Sequence, residues 1–228
     1  MGNDIRCYPL TLFDNYSRYL IDCQGLYSTS LEPVKQRYIQ AFRRYGLPQT
    51  LRTDNGYPFA SCGIGGLSAL SIWLLKLGVM PERIAPGHPE QNPRHERMHR
   101  TLKAAAINPA KANLSAQQRA FNRFRREYNH ERPHDALNDR CPGELFNPPL
   151  EPYPESLPMV HYSEEYTVRK VRTDGTIKWQ GHLLYLASAL AREPVGLRPI
   201  GNDQWQLYYA KLVLGVLDGR LQRIIRPS

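Results

Sequence analysis

The spacing of hydrophobic and polar residues changes several times along the chain, and each change predicts an element. "YPLTLFD" at 8–14 and "YLIDCQGL" at 19–26 are rich in β-formers and flank the turn-like "NYSR", which predicts a hairpin. Residues 30–45 read as a helix: Ser30 is placed to cap it, Pro33 lies in its first turn, and Val34, Tyr38 and Phe42 recur at four-residue spacing before Gly46 stops it. "LPQTLRT" at 47–53 is a short strand that delivers Asp54 at its end. The order is strand, strand, helix, strand.

"CGIGGLSALSIWLLKLG" then gives a Gly-rich loop and an apolar helix ending at Gly78. No G-K-[ST] follows the glycines, so they read as slack before a buried helix and not as a phosphate loop. "PERIA" is one more short strand, and "PGHPEQNP" at 86–93 is a Pro-rich loop. "RHERMHRTLKAAA" is helical, with Asn92 as N-cap and Pro93 at the first helical position. A further helix over about 115–129 carries Phe121, Phe124 and Tyr128 on one stripe, which is core packing.

Five of the eleven residues from 148 to 158 are proline, a linker composition. Beyond it come five or six short alternating runs punctuated by turn pairs such as Asp174-Gly175, Gly201-Asn202 and Asp218-Gly219, the pattern of a small closed barrel. The expected organisation is an α/β catalytic core with a trailing helix over 1–147, a Pro-rich linker over 148–164 and an all-β barrel over 165–228.

Charge adds a partner. The net charge is +9, and ten basic residues against three acidic ones between Arg94 and Arg132 supply +7 of it. Such a field suits a polyanion, nucleic acid above all, although a basic solvated helix face would look the same. Cys7, Cys23, Cys62 and Cys141 form no C-x-x-C pair, which argues against a zinc knuckle or redox motif and fits a reduced, intracellular chain. No apolar run near 18 residues and no signal-like start are present, so a soluble cytoplasmic, nucleoid-associated protein is expected.

Two segments carry candidate chemistry. Asp54-Asn55-Gly56 is turn chemistry, but it also displays a carboxylate at a strand end where a metal can be held. On the helix after Asn92, Glu96, His99, Arg100 and Lys103 sit at i, i+3, i+4 and i+7 and share a face. A carboxylate followed by cations suits a divalent metal and then a phosphate backbone, while Met98, Leu102 and Ala106 lie elsewhere and can bury. Asp54 and Glu96 can chelate together. Hard oxygen ligands favour Mg²⁺ or Mn²⁺, and two such ions would activate a hydroxyl and stabilise a leaving oxygen in phosphoryl transfer. The competing reading is His95-Glu96-Arg97-Met98-His99, an H-E-x-x-H zinc-peptidase pattern. Positive charge from Arg94, Arg97 and Arg100 opposes a dication there, and the extended motif would need His where Ala105 stands.

Taken together, "LTLFDNYSRY", "GLPQTLRTDNGYPFAS", "PGHPEQNPRHERMHRTLK" and "FRREYNHERPHDAL" resemble bacterial insertion-sequence transposases of the DDE type, close to the retroviral integrase core. "VRKVRTDGTIKWQGHLLYL" and "EPVGLRP" are similar to that group's small Src-homology-type barrel. The resemblance implies a ribonuclease-H-like mixed sheet with flanking helices, divalent metals, and cleavage and strand transfer of transposon ends into a target duplex by an oligomer. It makes Asp54 the second catalytic aspartate and Glu96 the glutamate, with Arg94, Arg97, Arg100, Lys103, Arg123 and Arg126 at the DNA.

The departures are equally specific. Relatives carry the first catalytic aspartate on a strand ahead of the hairpin, and "MGNDIRCYPL" begins too late to hold it. Asp14 matches the hairpin's D-x-x-S-R feature instead, and Asp4 and Asp22 are weaker substitutes. The expectation is a chain truncated at its N-terminus, or one whose start is assigned too late, with impaired catalysis; the alternative is a non-catalytic DNA-binding remnant. Lys170, Arg172 and Lys178 of the barrel can touch DNA, or simply form a strand's solvent face. Pro93 stands where the family usually has glycine, which stiffens a loop expected to move around DNA.

Overall fold

A computed structural model of the chain describes residues 6–53, 56–59, 64–85, 88 and 91–226. It is mixed α/β and divides into two compact units, one formed by Met1–Leu47 and Ile84–Pro152, the other by Pro48–Arg83 and Tyr153–Ser228.

The first unit is built on a hairpin. Strands β1 (Tyr8–Phe13) and β2 (Leu20–Leu26) pair antiparallel, with a register shift at Leu12/Phe13. The turn between them is fixed by Asp14, whose Oδ2 accepts from the Ser17 backbone N–H at 2.7 Å and the Ser17 hydroxyl at 2.5 Å. Helix α1 (Leu31–Tyr45) buries Val34, Tyr38 and Phe42, the predicted four-residue stripe. It ends at Gly46, whose φ of 89° is open to glycine, and whose N–H bonds to Phe42 O. An added Cβ there would lie 2.5 Å from the Pro149 carbonyl oxygen, so glycine is required twice over.

Helices α3 (Pro93–Leu102) and α4 (Leu114–His130) close this unit. Met98, Leu102 and Ala106 bury with Phe121, Phe124 and Tyr128 against Leu20 and Cys23. Each large side chain removed from water in this way contributes about 1.5–3 kcal/mol. After Leu102 the backbone opens into a π turn over Lys103–Ile107, closed by Asn108 N–H to Lys103 O at 3.0 Å. The Gln117 amide donates to the Ala106 carbonyl at 2.6 Å. Asn108-Pro109 then ends the helical run, because proline cannot continue the ladder.

In the second unit, β3 (Thr50–Thr53) and β4 (Met80–Arg83) form a parallel pair, and α2 (Ala69–Lys76) connects them. Ser68 caps α2 by accepting from Ser71 N. The helix is apolar nearly all round, and a helix of that kind must be enclosed. Ile64, Leu67, Ile72 and Leu75 share one core with the C-terminal strands.

Those strands are β5 (Thr167–Lys170), β6 (Thr176–Trp179), β7 (His182–Tyr185), β8 (Pro194–Gly201), β9 (Gln204–Tyr209), β10 (Leu212–Asp218) and β11 (Arg223–Ile225). Where a small barrel was expected, the five-stranded antiparallel ladder runs β11-β10-β9-β8-β5 and no closed ring of strand pairs is seen among the described residues, while β6 and β7 pair with each other. The hairpin β6–β7 adds Ile177, Trp179 and Leu184 to the same core, and Thr176 O accepts from Arg172 N–H at 2.8 Å. Strand β11 was not legible from the sequence pattern. Lys76 and Glu193, both partly exposed, form a polar chain with the buried core residue Tyr209, with Lys76 Nζ 2.5 Å and the Tyr209 hydroxyl 3.0 Å from the Glu193 carboxylate.

Candidate functional site

Asn92 and Pro93 start α3, which places Glu96 in its first turn, where the helix dipole favours a carboxylate. Glu96 is exposed, as are Arg100 and Lys103 on the same face. No ion pair engages any of the three among the described residues, so carboxylate and cations face solvent together. Asp54, the other expected metal ligand, lies outside the described residues; β3 ends at Thr53, immediately before it.

The remaining expected cations are divided. Arg97 and Arg123 are exposed. Arg94 reaches the Asn15 carbonyl at 2.5 Å, and Arg126 pairs with Glu131 at 3.2 Å, an exposed bridge of little energetic weight. In the second unit Arg172 lies 3.9 Å from Asp174, and Lys170 and Lys178 are exposed.

Two of the three candidate substitutes for a third acid are already occupied. Asp14 is held by Ser17. Asp22 is buried and receives a two-pronged bond from Arg37, with Nε at 2.9 Å and Nη2 at 2.8 Å, while Arg125 stands 3.8 Å away. Asp4 lies outside the described residues. Among the described residues no group of three His, Cys, Asp or Glu side chains is placed to hold a metal ion.

The two histidines of the H-E-x-x-H segment occupy a different face from the arginines. His95 and His99 turn toward β1, where both Nε2 atoms meet the Thr11 hydroxyl, at 3.0 and 2.8 Å, and lie 3.2 Å from each other. Burial pushes His95 down to about 4, with His99 adding to the effect, and burial also lowers His99. Burial thus disfavours the charged form of both rings.

A second device was missed at the sequence level. Among the described residues β2 pairs through one edge, with β1, and side chains of α4 satisfy backbone groups beyond it. The Asn129 amide accepts from Leu20 N–H at 2.8 Å and donates to Leu20 O at 3.0 Å. Gln118 accepts from Gly25 N–H at 2.8 Å and donates to Cys23 O at 2.9 Å, and Arg125 donates to Ile21 O at 3.1 Å. Residues 118, 125 and 129 stand at i, i+7 and i+11, one helical stripe of polar side chains. That spacing was the available signal.

The geometry defines a class first: a basic helix bearing a solvent-facing carboxylate, locked onto a β hairpin, in a chain that also carries a five-stranded β sheet. Residues 77–142 match the family model of the integrase core domain, and residues 166–224 match that of the IS481 family transposase C-terminal domain. The insertion element IS407 uncharacterized 31.7 kDa protein of Burkholderia multivorans is 31% identical over 145 residues, covering 63% of this chain and 50% of that protein. The insertion element IS476 uncharacterized 39.2 kDa protein of Xanthomonas euvesicatoria is 31% identical over 147 residues, covering 64% of this chain and 40% of that protein. The chain thus spans about half the length of the curated relatives it matches. Over these segments the chain is similar to bacterial insertion-sequence proteins of the integrase-core type. Among solved structures, a chain of the simian T-cell lymphotropic virus intasome in complex with PP2A regulatory subunit B56 gamma aligns at TM-score 0.49 and 17% identity, over 98% of this chain and 78% of that one. No helix among the described residues is long and apolar enough to cross a membrane.

Proposed function

We propose that the chain carries part of the catalytic core and the C-terminal region of a transposase that cuts and rejoins DNA by metal-dependent phosphoryl transfer. The observation that carries the reading is Glu96: an exposed carboxylate in the first turn of α3, followed on the same face by exposed Arg100 and Lys103, inside the segment that matches the integrase core. Glu96 fits a hard divalent cation as one oxygen donor, since no other side chain among the described residues claims it in an ion pair, and Asp54 is proposed as its fellow ligand. When bound, Mg²⁺ or Mn²⁺ would activate the attacking hydroxyl and stabilise the leaving oxygen. The chain's own contribution is to hold the phosphate backbone: Arg97, Arg100, Lys103 and Arg123 supply cations for transposon ends and target duplex, and Arg94 and Arg126 join them once released from their present partners. Action as a homo-oligomer on DNA belongs to the same proposal, and the cytoplasmic nucleoid is where it would occur.

A second reading is favoured by a specific observation. Asp14 and Asp22 are both committed within the hairpin unit, so neither offers a free third carboxylate. These 228 residues would then bind duplex without cutting it, as a non-catalytic partner or remnant. A plasmid-nicking assay separates the two. Mg²⁺-dependent nicking that Glu96→Gln abolishes supports the enzyme; salt-sensitive duplex binding with no nicking supports the second reading and refutes catalysis by this polypeptide.

A further inference from the structure

The H-E-x-x-H segment is not absorbed by the phosphoryl-transfer reading, and its two imidazoles do something the sequence did not foretell. His95 Nε2, His99 Nε2 and Thr11 Oγ1 form a triangle with edges of 3.0, 2.8 and 3.2 Å. Hydrogen bonds cannot satisfy all three edges. A neutral imidazole Nε2 is either donor or acceptor, and the hydroxyl has one proton. Whichever tautomers are chosen, at most two edges are ordinary two-centre bonds, and the third presses two heteroatoms together without a proton of its own.

We propose that this triangle is a binding site for one borderline-soft divalent cation (Zn²⁺, Ni²⁺ or Cu²⁺), distinct from the hard-oxygen ligand Glu96, with the two imidazoles as principal ligands and the Thr11 hydroxyl as a weak third. Imidazole suits these metals, whereas Mg²⁺ and Mn²⁺ prefer carboxylate oxygen. A tetrahedral site with metal–nitrogen bonds of about 2.0–2.1 Å needs donor–donor edges of about 3.3–3.4 Å, so each side of the observed triangle opens by only a few tenths of an ångström. With both rings protonated on Nδ1, three lone pairs converge and the conflict among the edges disappears. Solvent fills the fourth position.

The charge objection raised by Arg94, Arg97 and Arg100 is answered by position, while Lys103, one turn beyond His99, acts against a cation there and Glu96 in its favour. At 100° per residue, Arg97 lies on the opposite side of α3 from His95, while Arg94 reaches to Asn15 and Arg100 lies with Glu96 and Lys103 on the exposed face. His95 and His99 share their stripe with buried Leu102 and Ala106. No third His, Cys, Asp or Glu joins them among the described residues, which separates the site from a peptidase zinc centre. Bound metal would fasten the first turns of α3, and Glu96 with them, to β1.

The inference does not depend on catalysis, and its test is a binding experiment on the full chain. Zn²⁺ is titrated against a chromophoric chelator. Wild type is expected to take up one equivalent that His99→Ala and His95→Ala each weaken by at least about tenfold, as loss of one imidazole from a two-imidazole site demands, while Thr11→Val weakens it less. Excess Mg²⁺ is expected to leave the Zn²⁺ isotherm unchanged. Because an alanine variant can lose its fold, wild type is also followed by ¹⁵N NMR of its seven histidines during the same titration. Selective shifts of the His95 and His99 Nε2 resonances support the site. Shifts confined to other histidines, Zn²⁺ affinity unchanged in both alanine variants, or no uptake at all would overturn it.

Discussion

Replacing Asn129 by leucine tests whether α4 is part of the hairpin's hydrogen-bonding framework or merely leans on it. Leucine keeps the fork at Cγ but is bulkier than asparagine, so some packing strain adds to the loss. What is lost is the pair of bonds by which the amide accepts from Leu20 N–H at 2.8 Å and donates to Leu20 O at 3.0 Å. Asn129 is 2% exposed and Leu20 is fully buried, so water cannot replace the amide. Each backbone group left without a partner costs about 1–3 kcal/mol, giving about 2–6 kcal/mol for the pair before relaxation. Added burial of leucine's apolar surface offsets about 1 kcal/mol of that. The expected net loss, about 1–5 kcal/mol, is a large share of an ordinary domain's 5–15 kcal/mol.

The assay is urea unfolding followed by circular dichroism, with Gln118→Leu as the comparison. Gln118 makes an equivalent pair of bonds, to Gly25 N–H and Cys23 O, but is only partly buried, so solvent can reach its orphaned partners and the loss should be smaller. An unfolding midpoint for Asn129→Leu equal to wild type, or a larger loss from Gln118→Leu than from Asn129→Leu, would refute the account of α4 as an edge cap.

Burial, reinforced by the neighbouring Asp22 carboxylate, pushes the Cys23 thiol up to about 12. At pH 8 its thiolate fraction is then about 10⁻⁴, so native protein should leave Cys23 unmodified by a thiol reagent over times that fully label it in urea. Burial likewise raises the Tyr162 phenol to about 12, where it donates to the Tyr208 and Pro194 carbonyls and accepts from Ala210 N–H. Since the folded phenol ionises later than the unfolded one, its contribution is complete below pH 10 and is lost as pH rises toward 12. With partial solvent exposure that loss is about 1–2 kcal/mol, and Tyr162→Phe should remove it from the pH–stability curve. Finally, Arg100→Gln and Lys103→Gln should each weaken duplex binding uniformly across sequences and reduce the steepness of the logarithmic salt dependence by about one. Unchanged slopes in a filter-binding series would remove those side chains from the interface.

The hairpin, α1 and α4 were legible because each carries a one-dimensional pattern that the fold simply obeys: Val34, Tyr38 and Phe42 recur every four residues, and Phe121, Phe124 and Tyr128 recur every three or four. What the sequence withheld depends on partners far along the chain. Asn129 reads as one polar residue within a basic, polar helix until Leu20, 109 positions away, supplies the backbone it clamps. Thr11 is an unremarkable strand residue until His95 and His99 arrive, 84 and 88 positions later. The strand order of the ladder was withheld for a related reason: alternation along β6 and β7 reports that one face is buried, but says nothing of which strands bond to which, and Ile177, Trp179 and Leu184 would alternate identically inside a closed ring. The same distinction applies to the two histidines. Counting charges from Arg94 to Arg100 treats a helix as a line, on which three guanidinium groups crowd the imidazoles. On the actual cylinder the imidazoles turn inward to β1 and the cations turn outward, so one helix presents a half-buried nitrogen face and an exposed basic face. Glu96 is placed between them, and any force that fixes the inner face to the hairpin also fixes where that carboxylate points.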